Sequence, residues 1–347
     1  MKALLMEEYK KLKFTDVPDP VISSPDEILV KVKAASICGS DFHGFDGSTG
    51  RRKPPIIMGH EAAGEIVETG TGVTRYKAGD RITFDSTIYC GSCFYCRNGQ
   101  VNLCDNRMVL GVSCDDYRKH GAFAEYVVVP ERIVYPLPAG LSYEEAAMTE
   151  PAAVAAHAFR ISPVGLNETI TVVGAGLIGL LLIDVLKISA SGKIIALETD
   201  PGRRETVLKR GVDAVLDPAE FSDAASLNKR IEELSGGFVD RVFDAVGTAS
   251  SVGTALSIVR KGGSLTLIGN SSPKIDIPLQ SIVSRQISLY GSCAIGGEYP
   301  LVLDLIARKK IDVASLISKT APLSEGQIWF DKLYNREDKL LKVVLIP

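Results

Sequence analysis

The chain of 347 residues is poor in several things that would point its function elsewhere. It has one tryptophan and four histidines, and 39 Lys+Arg stand against 42 Asp+Glu. A charge balance so close to neutral excludes the basic footprint of a nucleic-acid binder. The run Arg51-Arg52-Lys53 reads as a solvated loop. No long apolar run is free of interruption. The most apolar stretch, Thr169 to Ile188, is broken by Gly174, Gly176 and Gly179 and carries Asp184, so it reads as a buried strand and helix and not as a membrane span. The opening MKALLMEEYKKLKF lacks the apolar core of a signal peptide. A cytoplasmic address with no membrane partner is therefore expected, and there thiols stay reduced, which argues against disulfides.

What is present divides into two textures. Up to about residue 150, short Val- and Ile-rich runs are punctuated by Gly, Pro and Asp, as in EILVKVKAASIC (27–38), EAAGEIVETG (61–70), GDRITF (79–84) and FAEYVVVP (123–130). That pattern predicts a β-rich unit. After Pro151, apolar strands alternate with helical runs: TITVVGAG (169–176), KIIALETD (193–200), DAVLD (213–217), VDRVFDAVG (239–247), GGSLTLIG (262–269) and QISLYGS (286–292). Six such strands predict an α/β, doubly wound parallel sheet. The tail offers helical patterns near 299–309 and 324–334, then a last strand, KVVLI.

GAGLIG (174–179) fits G-x-G-x-x-G between an apolar strand and an apolar helix. Gly174 suits a tight turn, Gly176 a close approach of backbone to pyrophosphate, and Gly179 the packing of helix on strand, with Leu177 and Ile178 opening the helix. Glu198 ends the next strand, where a carboxylate accepts from ribose hydroxyls and repels a 2′-phosphate. NAD is the expected cofactor. Arg203 and Arg204 are the counter-argument for NADP, since an arginine can receive that phosphate.

Because histidine is scarce, each one carries information. Cys38 follows a predicted strand in ICGSDFH, His60 and Glu61 precede another in GHE, and Glu150 stands where the texture changes. A sulfur, an imidazole and a carboxylate suit zinc with an open fourth position, as catalysis requires.

With these residues in view, the chain resembles the zinc-dependent medium-chain alcohol dehydrogenase family over essentially its whole length. The resemblance rests on ICGSD with His43, GHE, the four-cysteine loop, GAGLIG and EPAAVAAHA (150–158), and it lies nearest the polyol (sorbitol-type) and threonine dehydrogenase branches. It implies a GroES-like catalytic domain from residues 1–152 and 293–347 around a Rossmann NAD-binding domain at 153–292. It also implies that Cys38 and His60 hold a catalytic zinc, with Glu61 or Glu150 as third ligand, and that Asp41 steadies the zinc histidine. His43 is expected near the cofactor, Lys342 near its pyrophosphate, and His157 merely packed. Ser40 is the candidate relay for the alcohol proton. Zinc can lower the pKa of a bound hydroxyl from about 16 to about 7, which corresponds to roughly 12 kcal/mol. The hydride then passes to NAD.

The resemblance leaves the substrate open. Tyr299-Pro300 matches the sorbitol-type pattern, but Ala294, beside Ile295, occupies the place of the polyol-binding arginine. A polyol or sugar alcohol, phosphorylated or not, is expected, with an L-threonine-type amino alcohol as the alternative. A non-catalytic zinc- and NAD-binding regulator is the distant third. Homodimers or homotetramers are implied, joined by edge strands such as QISLYGS.

The loop CGSCFYCRNGQVNLC places Cys90, Cys93, Cys96 and Cys104 in the order C-x2-C-x2-C-x7-C. A bacterial iron–sulfur run would put its last cysteine three residues on, followed by proline. Four thiolates with no open position predict a closed, structural zinc site.

Overall fold

The computed structural model describes every residue except Pro163, Ala190 and Ser191. The chain forms two compact units, Met1–Ala153 with Ile295–Pro347, and Val154–Ala294.

The first unit is built on a seven-stranded sheet. Along it, Val134–Pro136, Arg81–Phe84, Glu61–Thr69, Glu27–Ser36, Lys342–Ile346 and Ile317–Pro322 are successive neighbours, and Tyr126–Pro130 adds to the central strand Glu27–Ser36. That central strand alternates buried Ile28, Val30, Val32 and Ala34 with more exposed positions, as one packed face requires. Its end positions the chemistry. Ser36 pairs with Glu61 on one side and with Val344 on the other, and Cys38 lies just beyond the strand. Residues remote in sequence therefore meet by register.

Cys38 also caps the short helix Gly39–Phe45. The Cys38 backbone N–H donates to Asp41 Oδ2 at 3.0 Å, satisfying the turn and fixing the carboxylate. The apolar core beneath includes Phe45, Phe123 and Phe330, whose rings meet edge-on or tilted.

The second unit is a parallel six-stranded sheet. Its strands run in the order Ala214–Leu216, Ile194–Leu197, Ile170–Val173, Val239–Asp244, Val259–Leu267, Ser288–Gly291. Ile170–Val173 and Ile194–Leu197 are buried at every position, as strands covered on both faces must be. The order reverses direction beside Ile170–Val173. In open α/β sheets, ligands bind at the carboxyl ends of strands flanking such a switch point. Among the described residues, no helix is long and apolar enough to cross a membrane.

Candidate metal and cofactor sites

The Cys38 sulfur, a His60 ring nitrogen and a Glu61 carboxylate oxygen all lie within 4.8 Å of one another. His60 Nε2 and Cys38 Sγ are approached by the Ser40 hydroxyl, at 3.5 and 3.4 Å. His60 Nδ1 turns the other way, 3.4 Å from Asp41 Oδ1. One ring nitrogen thus faces the sulfur while the other faces a carboxylate, the arrangement that orients metal-binding histidines.

Glu61 is fully buried and divides its oxygens. Oε2 accepts from Ser36 Oγ and pairs with the Lys342 ammonium, whereas Oε1 is buried without a hydrogen-bond partner. Glu150 lies outside the tight trio and accepts from Ser86 Oγ at 3.2 Å. Burial pushes its carboxyl up to about 7; His60 opposes this and Glu61 adds to it. Burial alone would favour an uncharged His60, yet Asp41 and the Cys38 sulfur raise its pKa well above the ordinary value.

A divalent cation fits this environment. Asp41, Glu61 and Glu150 are the buried acids of this region, met by the cations of Arg52 and Lys342. The unpartnered Glu61 Oε1, the soft sulfur and the imidazole are donors that zinc accepts.

The four sulfurs of Cys90, Cys93, Cys96 and Cys104 likewise lie within 4.8 Å of one another, and no disulfide joins them. Backbone N–H groups are aimed at the sulfurs: those of Ser92 and Cys93 at Cys90, both at 3.4 Å, and that of Cys90 at Cys104, at 3.2 Å. The Ser92 N–H bond brings Cys90 down to about 5, while burial pushes Cys96 up to about 12. Four thiolates this close cannot all stay ionised unless a cation sits among them.

In the second unit, Gly174 has φ +88° and Gly179 packs so tightly that a Cβ there would overlap the Gly174 carbonyl. Only glycine meets both demands. Gly176 caps the helix Leu177–Ile188, and its Cβ position is open apart from Arg203 at 3.9 Å. Glu198 is held by two backbone N–H groups, Ala175 at 2.7 Å and Asp200 at 2.9 Å. Arg204 is tied to the Glu198 and Thr199 carbonyls and to the Asp217 carboxylate.

Two family models match the chain, the alcohol dehydrogenase GroES-like domain over residues 24–139 and the zinc-binding dehydrogenase over residues 178–308. The chain belongs to the zinc-binding alcohol dehydrogenase family. This dehydrogenase is 35% identical over 343 residues to a D-arabitol-phosphate dehydrogenase of Enterococcus avium, covering 97% of this chain and 94% of that one. It is 32% identical over 351 residues to a sorbitol dehydrogenase of Bacillus subtilis, covering 100% and 97%. A solved zinc-binding dehydrogenase from Sinorhizobium meliloti, described as putative and bound to NADP, superposes with a TM-score of 0.89 at 30% identity, covering 100% and 99%.

The dehydrogenase also departs from what its sequence suggested. Arg52 does not sit in a solvated loop: it is buried and paired with Asp41 at 3.2 Å. Lys342 is buried and directs its ammonium to Glu61, a partner the sequence did not indicate. His43 is exposed on its helix, with Nδ1 3.4 Å from Ser48 Oγ, and His157 is buried. Tyr299 is wholly buried, donates to the Phe84 carbonyl at 2.7 Å and stacks on Tyr135 at 4.8 Å.

Sequence reading missed Ser36, Ser86 and the buried Asp85, whose carboxyl burial pushes up to about 7. A signal existed in FDST (84–87), three polar residues ending an apolar strand where alternation predicts only one or two. Asp244 was missed too. It closes the strand beside the glycine turn and accepts from the N–H groups of Val246 and Gly247 at 3.0 and 3.1 Å.

Proposed function

We propose that this dehydrogenase oxidises a secondary alcohol of a polyol or sugar alcohol and passes the hydride to NAD. The observation that carries the reading is the gathering of Cys38, His60 and Glu61 around one point, with Glu61 Oε1 buried and without a hydrogen-bond partner. Zinc held there supplies Lewis acidity that acidifies an alcohol hydroxyl, and NAD supplies the hydride acceptor.

The chain's own residues do the rest. Cys38, His60 and either Glu61 or Glu150 hold the metal. Asp41 keeps the proton of His60 on Nδ1, leaving Nε2 free to ligate. The exposed Ser40 hydroxyl, near both Cys38 and His60, receives the alcohol proton and hands it toward solvent. Gly174, Gly176, Leu177, Ile178 and Gly179 form the pyrophosphate turn. Glu198 accepts from the adenosine ribose, and its charge disfavours a 2′-phosphate. Arg204, tied to Asp217, is not free to receive one, which leaves Arg203 as the nearer cation. The four-cysteine loop holds a second, structural zinc.

The two curated relatives described above are named for a polyol and a polyol phosphate, and the amino-alcohol alternative finds no support in them. For a phosphate, exposed Arg51 and half-buried Lys53 are the available cations, although Lys53 already pairs with Asp115. A homo-oligomer joined through the edge strand Ser288–Gly291 is part of the same proposal. Leu289 on that strand and Leu279 and Val283 on the helix before it are exposed apolar side chains.

The test is a panel of polyols, their phosphates, inositols, threonine and simple secondary alcohols with NAD and with NADP. Turnover of a polyol or polyol phosphate with NAD is expected. No reduction of cofactor with any of them would overturn the reading.

A further inference from the structure

Arg52 has no role in the scheme above, yet it is built into the site as firmly as the candidate ligands. Its side chain is 7% exposed, and one guanidinium nitrogen lies 3.2 Å from both Asp41 Oδ1 and Ser40 Oγ. Asp41 is itself fully buried and already receives the Cys38 N–H on its other oxygen. The same carboxylate oxygen that meets Arg52 faces His60 Nδ1.

Two features show that the path of Arg52 is specified. Its backbone is clamped on both sides, because Ser113 N donates to the Arg51 carbonyl at 3.1 Å and Lys53 N donates to the Ser113 carbonyl at 3.2 Å. Its side chain then crosses the helix Gly39–Phe45 at Gly44, where any Cβ would overlap Arg52 Cδ. A glycine in a helix is a cost unless something needs the space. Here Arg52 occupies it.

We propose that Arg52 is a positioning residue for the metal site. It holds Asp41 and Ser40 together, and through them sets the orientation of the His60 ring and of the Ser40 hydroxyl. Guanidinium stays charged in every protein environment and presents a rigid fork, so it keeps a buried carboxylate ionised and in place whether or not metal is bound. An exposed serine hydroxyl would otherwise rotate freely. With Arg52 donating to it, the Ser40 oxygen is fixed, and the serine proton is left to point elsewhere.

The proposal rests on the metal-site reading, and its test separates the two. Cobalt(II) would be introduced into the catalytic site of wild type, Arg52→Lys, Arg52→Met and Gly44→Ala, and the d–d absorption recorded beside steady-state kinetics. Gly44→Ala keeps every charge and favours the helix, but pushes the Arg52 stem aside. Its cobalt bands should shift from wild type and its kcat should fall about tenfold or more, as loss of support behind a metal ligand typically causes. KM for NAD should stay unchanged, because the cofactor turn is untouched. Arg52→Lys, which retains the charge without the fork, should recover part of the kcat lost in Arg52→Met. Wild-type cobalt bands and kcat in folded Gly44→Ala and Arg52→Lys would overturn the proposal, even if Arg52→Met fails to fold. If wild type takes up cobalt but turns over no alcohol, the functional reading fails, and the spectra alone still decide the role of Arg52.

Discussion

Lys342 and Glu61 form an ion pair with both side chains essentially closed to solvent, although 281 residues separate them in the chain. The pair exists because Lys342–Ile346 and Glu61–Thr69 flank the same central strand, Glu27–Ser36, from opposite sides. Ser36, on that strand, donates to the same Glu61 oxygen.

The pair predicts an asymmetric mutational response. In the metal-free protein, Lys342→Met leaves Glu61 as an uncompensated buried charge and should destabilise by about 3–5 kcal/mol, the usual cost of breaking a buried pair from one side. The double variant Lys342→Met/Glu61→Gln should recover much of that loss. Urea denaturation of the four proteins of the cycle checks this, and additive losses would show that the pair is not coupled.

The two metal sites should be separable. Cys93→Ser or Cys104→Ser should lose one zinc per chain and lower Tm while the other zinc remains. Metal analysis of purified variants reads this directly, and simultaneous loss of both ions would contradict independent sites.

Glu198 should decide cofactor choice. Its carboxylate is fixed by the N–H groups of Ala175 and Asp200, so it cannot swing away from a 2′-phosphate. Juxtaposed like charges cost several kcal/mol, and ~1.4 kcal/mol is tenfold. Glu198→Ser should therefore raise the NADP-to-NAD ratio of kcat/KM by about 100-fold. An unchanged ratio would remove Glu198 from cofactor selection.

Acid stability should depend on Glu168. The side-chain hydrogen bonds from Arg241, both at 2.9 Å, hold its carboxyl below the usual range, with burial opposing them. A depressed carboxyl pKa adds stability that is fully present above the unfolded value of about 4.3 and is lost as pH falls through the folded one. Wild type should exceed Glu168→Gln by up to ~1 kcal/mol at pH 7, the scale of partly exposed pairs. The gap should close only below about pH 4; a gap that persists into stronger acid would assign it to something other than this ionisation.

The edge strand should carry self-association. Leu289→Glu or Val283→Glu should lower the oligomeric state in sedimentation while leaving the far-UV spectrum intact. An unchanged sedimentation profile would place any subunit contact elsewhere.

Much of this was legible before any coordinates. Local chemistry writes local signals: glycine spacing after an apolar strand, an acid ending the next strand, and four cysteines within fifteen residues. Each works through neighbours a few residues away, so its meaning survives without knowledge of the fold. The alternation of strand and helix after Pro151 likewise predicts the parallel sheet, because buried strands must read as unbroken apolar runs.

Arg52 was not legible in this way. In sequence it stands between Arg51 and Lys53 and looks like surface. Only the crossing at Gly44 and the meeting with Asp41 show that it is interior. The pairing of Lys342 with Glu61 was hidden for the same reason, since that partner is chosen by strand register and not by proximity in the chain. The sequence by itself determined which residues could bind metal and cofactor, because donor chemistry belongs to each side chain. The tertiary structure alone decided which charges share a buried volume. That sharing drew Glu61 toward Lys342, left Glu150 at the margin of the trio, and bound Arg52 to Asp41, because charges removed from water must find counter-charges wherever the fold brings them.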